Sequence, residues 1–598
     1  MKKSNAIDLD LRVKKMIPVQ NSVNAPEMKP VMVGSGRECL LEILRSEGVT
    51  HIFGNPGTTE LPLLDTLAGS DEFTFVLGLQ EATVVGMADG YAQSTGRAAF
   101  VNLHTTVGLG NAMGNIVNAN TTNVPMVITA GQQSRRHLAY DPLLSGDLVS
   151  QARPVVKWAH EVRSLEEMPL ILRRAFHEAN TEPKGPVFVS LPMDVIDEQS
   201  QVVIPPRSHI FEEAAPDMTP IAELLLEAGK RVCMVVGDEV GRYDATQAAA
   251  EVAERLGCPV FGSPFFSGVP FPLQHPLWQG MLPPNFAQMR AQLKDYDRIL
   301  LVGDQAFLSY TWSEEQPYPA STELIQFAVD RHKLGRAFAL RAGHCGSPRM
   351  LLDSLASTLW KRQRRTESST MVAQARERKA AATLAMQTRI EELALQSPLH
   401  PLVATHAVLR TLGPEAIIVD ECLVANPYVR QLFDATHHEQ YLYVRGAGLG
   451  WGMPAAVGAA LAHPDRPVTC LVGDGAAMYS PQALWSAAHF ELPVTFVVFN
   501  NREYNILKNY MRARDGYNAQ AGRFIGMDLE NPAIDYVAMA RSMGVEAIKL
   551  READELSAAL FRAREKAKPM LIELTIASTE GSALVSGPAS HDALVQAI

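Results

Sequence analysis

Two turns carry residue types whose spacing suits chemistry. Gly473-Asp474-Gly475 closes an apolar strand (VTCLV) and opens a helical segment; Asn500-Asn501 closes the next apolar strand (VTFVVF) after 24 intervening residues. Turns at the C-terminal ends of neighbouring parallel strands lie side by side, where such sheets bind ligands. Asp474 brings a carboxylate oxygen and Asn501 an amide oxygen. Both are hard donors suited to Mg²⁺, which completes its octahedron with phosphate oxygens and water. Gly473 and Gly475 let the backbone approach phosphates, and the helix start that runs through Gly475 and Ala476 adds partial positive charge. Either turn alone is a common structural feature. Together they could hold Mg²⁺ and the phosphate oxygens it shares.

Glu81 heads a helical run (TVVGMADGYAQSTG) in apolar company. A first-turn glutamate is favoured by the helix dipole and needs no further role, yet a carboxyl there also suits a hydrogen bond to a ring nitrogen. His104 ends the strand AAFVNL. A histidine at a strand end is commonly a satisfied structural group, but imidazole, with a pKa of about 6.5, is the side chain best placed to exchange protons at neutral pH. The glycine run from Gly446 to Gly452 (GAGLGWG) invites a dinucleotide reading, which fails because the third glycine of G-x-G-x-x-G falls on Trp451.

The elements that must position these residues alternate short β-branched runs with longer amphipathic segments, which predicts an α/β chain of three doubly wound parallel-sheet domains. HIF, FTFVLGL, RAAFVNLH, PMVITAG and PVFVSLP supply strands to a first domain over 31–205. A linker follows near 202–218 (VVIPPRSHIFEEAAPDM), then a central domain over 218–358 and a charged helical connector over 359–398. AIIVDE, YLYVRGAG, VTCLVGDG, VTFVVFNN and PMLIELTIA build the third domain, 399–580. Residues 1–30 read as a disordered extension and 581–598 as a C-terminal tail.

A chain of 598 residues exceeds one core, and its 47% hydrophobic and 20% charged residues are those of an ordinary globular protein. A net charge of −11 argues against nucleic-acid binding. The Asn-, Thr- and Gly-rich stretch from Thr105 to Gln133 is no membrane span. Six scattered cysteines without a CxxC pair suggest neither zinc nor disulfides and fit a reducing cytoplasm.

FGNPGTTELP, QEATVVGMADGYA, NLHTTVGLGNAMGNIVNA and VITAGQQSRR, with LVGDGAAMYSPQALWSAAHFELPVTFVVFNN, resemble the thiamine diphosphate-dependent decarboxylase and acetolactate synthase superfamily, in particular the benzoylformate decarboxylases. The similarity runs from about Val33 to Ala577. It implies pyrimidine-binding, central and diphosphate-binding domains, with thiamine diphosphate and Mg²⁺ as cofactors. By the resemblance, Glu81 bonds the aminopyrimidine and drives its imino form, the carbonyl of Ala447 accepts from the 4′-amino group, and Leu449 wedges the cofactor into its bent shape. Asp474, Asn501 and the main-chain carbonyl of Glu503 hold the metal, and Leu423 lies beside the cofactor. The resemblance also makes a homodimer the active unit, because Glu81 and the metal turn serving one cofactor come from different subunits, and it points to a homotetramer.

The same resemblance puts His104 near the reacting carbon as proton carrier, and Thr58, where benzoylformate decarboxylase has serine, on the substrate carboxylate. Leu143, Leu144, Tyr310, Ile506, Leu507 and Tyr510 complete the pocket. Tyr310 stands where a second histidine is expected, Ile506 replaces a small residue and Leu423 a hydroxyl residue, so the pocket is tighter and more apolar. The implied reaction is non-oxidative decarboxylation of an aromatic or bulky apolar 2-oxo acid to an aldehyde and CO₂. A carboligase or lyase of the acetolactate synthase or 2-hydroxyacyl lyase type is the alternative, and a silent cofactor-binding scaffold a remote one.

Overall fold

The computed structural model describes residues 30–207, 216–303, 306–362 and 366–579. The expected N-terminal extension, the core of the first linker and the C-terminal tail fall outside the described residues. Three six-stranded sheets form, each parallel throughout, with helices on their faces. Strands covered on both faces read as unbroken apolar runs. Met126–Gln132, Pro186–Pro192 and Arg298–Val302 are buried at every position.

The first sheet runs in the order Thr74–Leu77, His51–Gly54, Ala99–Leu103, Met126–Gln132, Pro186–Pro192, Ala159–Glu161. The third runs Tyr441–Tyr443, Ile417–Glu421, Val468–Gly473, Val494–Asn500, Met570–Thr575, Glu546–Leu550. Ranked along the chain, both are 2-1-3-4-6-5, whereas the central sheet, from Trp278–Met281 to Ala342–Cys345, is 3-2-1-4-5-6. The outer domains therefore share one topology and the central one differs. In a 2-1-3 order the connections diverge between strands 1 and 3, which opens a crevice at their C-terminal ends. In the first sheet that crevice lies between Gly54 and Leu103, and in the third between Glu421 and Gly473.

The linker expected from 202 begins later than that. Gln199–Ile204 is a strand, paired antiparallel with Val31–Ser35 (Val31 opposite Ile204). Its alternating exposure hid it from a search for apolar runs. Ala159–Glu161, Trp278–Met281, Ala342–Cys345 and Glu546–Leu550 escaped the sequence for the same reason: each is a sheet edge, short and half polar. The charged connector is helical, as Pro348–Arg362 followed by Thr366–Leu393.

The outer domains lock together through the helices Glu81–Thr95 and Gly452–Ala462. Their backbones nearly touch: a Cβ on Gly90 would lie 2.1 Å from the Ala455 carbonyl oxygen, and one on Gly458 1.9 Å from that of Met87. Only glycine permits that approach. The central domain is tied to the third by Arg430, whose guanidinium lies 3.9 Å from the Phe266 ring and donates to the Phe266 carbonyl at 2.9 Å. Arg445 adds an ion pair to Asp238 at 2.6 Å. Burial alone would raise the Asp238 carboxyl; Arg445 and Arg242 outweigh it and hold it at about 2.

Candidate active site

At the crevice of the first sheet, strand His51–Gly54 delivers Asn55-Pro56-Gly57 and then a tight turn, Thr58–Glu60. Asn55 fixes this turn by donating to the Gly78 carbonyl at 2.8 Å. Thr58 is exposed, while Glu60 is 3% exposed. Glu60 Oε1 accepts from Thr59 Oγ1 (2.6 Å) and Gly131 N (3.1 Å); Oε2 accepts from Gly57 N (3.1 Å) and meets His104 Nδ1 at 2.8 Å. The imidazole lies so close to the turn that a Cβ on Gly57 would sit 2.0 Å from Nδ1. With Nδ1 engaged, Nε2 is the nitrogen left for a bound molecule, and no described residue hydrogen-bonds it. Sequence reading gave Glu60 no role. Its bond to Gly57 N is an ordinary capping interaction, and that plain reading concealed the carboxylate–imidazole pair.

The helix Thr105–Thr121, which follows His104, packs on Glu81. Asn111 Nδ2 donates to Glu81 Oε2 at 3.0 Å, and a Cβ on Gly108 would stand 3.1 Å from Oε1. Gly108 thus leaves that oxygen uncovered. Glu81 and His104 share one end of the domain through this helix.

The crevice of the third sheet holds the Gly473–Gly475 and Asn500–Asn501 turns. Asp474 is buried; Oδ1 accepts from Gly475 N at 2.8 Å and Oδ2 from Arg502 N at 2.7 Å. Burial pushes its carboxyl up to about 6, with those N–H bonds pulling the other way. The neighbouring asparagines divide the work: Asn500 turns inward to Glu573 at 2.8 Å, while Asn501 Oδ1 accepts from Glu503 N at 3.2 Å. Gly473 faces open space, with nothing within 4 Å of where a Cβ would be, and Tyr504 closes over Gly475. Ala476 is half-buried on the short helix that Asp474 opens.

One carboxylate, one amide oxygen and a main-chain carbonyl (Asp474, Asn501, Glu503) are hard oxygens, too few to enclose an ion. Among the described residues no cluster of three or more His, Cys, Asp or Glu could hold a metal. Such a set suits Mg²⁺ that shares phosphate oxygens and water. The open space at Gly473 is where phosphates would approach the backbone.

Between the Gly473–Gly475 turn and the outer-domain junction runs the Gly446–Gly452 loop. Ala447 is left-handed (φ 57), and Leu449 is 41% exposed. Gly448 is bracketed by Asn118, donating to Oδ1 at 3.0 Å and accepting from Nδ2 at 2.9 Å. Glu421 holds the loop's other end through three main-chain N–H groups. Burial pushes its carboxyl up to about 7. Leu423 is half-buried just past Glu421.

Of the remaining expected pocket residues, Ile506, Leu507 and Tyr510 share the helix Asn505–Ala513, with Leu507 and Tyr510 exposed and Ile506 half-buried. The opposite face is buried, where Lys508 pairs with Asp528 at 2.5 Å and with Glu503. Leu143 is 89% exposed and Leu144 is left-handed (φ 66) on a surface loop. Tyr310 sets its ring edge-on to Phe265, 5.2 Å between centroids. Partial desolvation raises its phenol above the ordinary tyrosine value, away from neutral. Among the described residues no hydrogen bond joins the Glu81–His104 group to the Asp474–Glu503 turns.

Three family models match the chain: the N-terminal TPP binding domain of thiamine pyrophosphate enzymes over residues 34–152, their central domain over 219–355 and their C-terminal TPP binding domain over 425–574. Benzoylformate decarboxylase of Pseudomonas aeruginosa is 34% identical over 90% of this chain and 98% of its own length. An acetolactate synthase large subunit of Haemophilus influenzae is 26% identical over 91% of this chain and 95% of its own. The solved structure of the thiamine diphosphate-dependent 4-hydroxybenzoylformate decarboxylase of Rhodococcus jostii RHA1 superposes with a TM-score of 0.80 at 32% identity, covering 92% of this chain and all of that one.

Proposed function

The chain belongs to the thiamine pyrophosphate enzyme family, and from that premise we propose that it decarboxylates a 2-oxo acid with an aromatic or bulky apolar side chain, using thiamine diphosphate and Mg²⁺ and releasing an aldehyde and CO₂. The observation that carries the reading is His104, fixed through Nδ1 on Glu60 with Nε2 left free, beside the exposed Thr58 turn. A proton carrier and a carboxylate-binding hydroxyl share one crevice. When bound, thiamine diphosphate supplies the electron sink that lets the bond beside a carbonyl break. Glu81 would hold a proton at the cofactor's pyrimidine, Asp474, Asn501 and the Glu503 carbonyl would hold the metal, and Ala447, Leu449 and Leu423 would seat the rings. Leu143, Leu144, Ile506, Leu507 and Tyr510 exclude water around the substrate side chain. The names of two relatives, a benzoylformate and a 4-hydroxybenzoylformate decarboxylase, support an aryl substrate.

Geometry also supports a homodimer. The helix Thr105–Thr121 touches Glu81 at Gly108 and the Gly446–Gly452 loop at Asn118. Those contacts are ten residues apart, about 15 Å along a helix. One pyrimidine ring does not reach across that span, which supports the reading that the Glu81 serving a cofactor comes from a second copy of the chain.

Tyr310 favours a second reading. A phenol raised above its ordinary value is a poor acid at neutral pH, which weakens protonation of the product and leaves time for a second carbonyl to couple, as in a carboligase. A panel of aromatic, branched and basic 2-oxo acids, with CO₂ and organic product both followed, separates the two. CO₂ with the matching aldehyde from an aryl acid is the expected result; CO₂ with a 2-hydroxy ketone makes the protein a carboligase, and no CO₂ from any acid overturns the decarboxylase reading.

Glu60→Gln tests the proton carrier. The glutamine keeps the size of Glu60 but turns an N–H₂ either toward His104 Nδ1 and Gly57 N or toward Gly131 N. Turnover is expected to fall by about tenfold or more, up to the 10²–10⁴-fold that an acid–base group contributes. Glu60→Asp, which keeps the anion but shortens its reach to His104 Nδ1, should recover part of the loss. Parental turnover in Glu60→Gln would remove Glu60 from the mechanism.

A further inference from the structure

Glu421 is a carboxylate that neither the sequence motifs nor the proposed chemistry uses. It ends the strand Ile417–Glu421 at the crevice of the third sheet, one strand away from Asp474. It is 4% exposed, and its oxygens collect three main-chain donors: Gly450 N (2.7 Å) and Trp451 N (3.3 Å) on Oε1, and Gly452 N (2.8 Å) on Oε2. These lie at the start of the helix Gly452–Ala462, where N–H groups lack intrahelical partners and the dipole favours a negative charge. The contact is close: a Cβ on Gly452 would lie 2.7 Å from Glu421 Cβ. The adjacent Asp420 serves elsewhere, on Cys422 N, Asn426 and Tyr441.

Upstream, Asn118 brackets Gly448 from the first domain. Ala447 at φ 57 and Gly450 at φ 89 make the loop a conformation that a free chain would leave. Left-handed non-glycine backbone persists where its surroundings over-determine it; Ala447 N donates to the Val444 carbonyl at 3.1 Å, and Asn118 and Glu421 hold the residues that follow.

We infer that Glu421 is a positioning residue for the pyrimidine half of the cofactor, setting the place of Ala447 and Leu449 while the diphosphate half is held separately at Asp474. The inference rests on the cofactor assignment proposed above.

Calorimetric titration of the full-length protein with thiamine diphosphate and, separately, with inorganic pyrophosphate, both with Mg²⁺, distinguishes the halves. Glu421→Gln sets an N–H₂ against a main-chain N–H and frees the loop. Thiamine diphosphate is expected to bind this variant about tenfold or more weakly, the loss typical of a charge-assisted hydrogen bond, with pyrophosphate affinity unchanged. Gly452→Ala, whose methyl displaces Glu421 from the other side, is expected to give the same split without altering any acid. Unchanged thiamine diphosphate affinity in both variants overturns the inference. So does parallel weakening of both ligands, which makes Glu421 a general support of the fold. A parent protein that binds pyrophosphate but no thiamine diphosphate overturns the cofactor assignment, and the inference with it.

Discussion

Glu81→Gln is expected to lower turnover by about 10²–10⁴-fold, the range for removing a positioned acid–base group, in a protein that still folds and still binds thiamine diphosphate. Glu81 begins the helix Glu81–Thr95 and gives one oxygen to Asn111, while the other faces Gly108. Glutamine has the same length and can still accept from Asn111. The fold then loses only the attraction between a first-turn anion and the helix dipole, about 0.3–1 kcal/mol. What the variant cannot do is hold a proton on a ring nitrogen and release it again. The two readouts separate the roles: kcat at saturating cofactor should collapse while the melting temperature moves by a few degrees at most. Near-parental kcat would sink the proposed mechanism. A large drop in melting temperature would show that Glu81 is a structural helix-starting residue.

The sequence made the strands legible where both faces are covered, because burial on two sides demands an unbroken apolar run, as in VTCLV and VTFVVF. The half-polar edge strand Ala159–Glu161 carries no such demand and left no signal, whereas the apolar edges Thr74–Leu77 and Tyr441–Tyr443 did. The placing of the Gly473–Gly475 and Asn500–Asn501 turns side by side was legible for another reason: each ends an unbroken apolar run, and those two runs are neighbouring strands. Glu60 and Glu421 were not legible. Each is a glutamate among ordinary neighbours, and its meaning arises only when distant segments converge on it: Gly131 and His104 on Glu60, and the 450–452 backbone on Glu421. The shared topology of the outer domains was likewise hidden, since strand order is set by crossover connections and not by the composition of the strands they join.

Asp474→Ala should abolish the cofactor site while sparing the apo fold. Asp474 supplies the one carboxylate of the expected donor set, and its partners, Asn501 and the Glu503 carbonyl, are neutral. Outer partners of a metal ligand already contribute about 10–100-fold in affinity, so loss of the ligand itself is expected to weaken Mg²⁺-dependent thiamine diphosphate binding by at least about 100-fold. The backbone around it has other support: Arg502 N also donates to Asn500 Oδ1 at 3.0 Å, which keeps the left-handed Arg502 turn (φ 61) in place. Burying a carboxylate without its cation is itself costly, so alanine should leave the apo melting temperature within a few degrees of the parent. The stabilisation added by saturating Mg²⁺ and thiamine diphosphate, which follows ligand concentration over Kd, should disappear. Glu503→Gln is the control, because the donor there is the main-chain carbonyl while the carboxylate is spent on Lys508 and Asn505. It should bind Mg²⁺ as the parent does. If it loses the metal as completely as Asp474→Ala, the Glu503 side chain is the ligand and the assigned donor set is wrong.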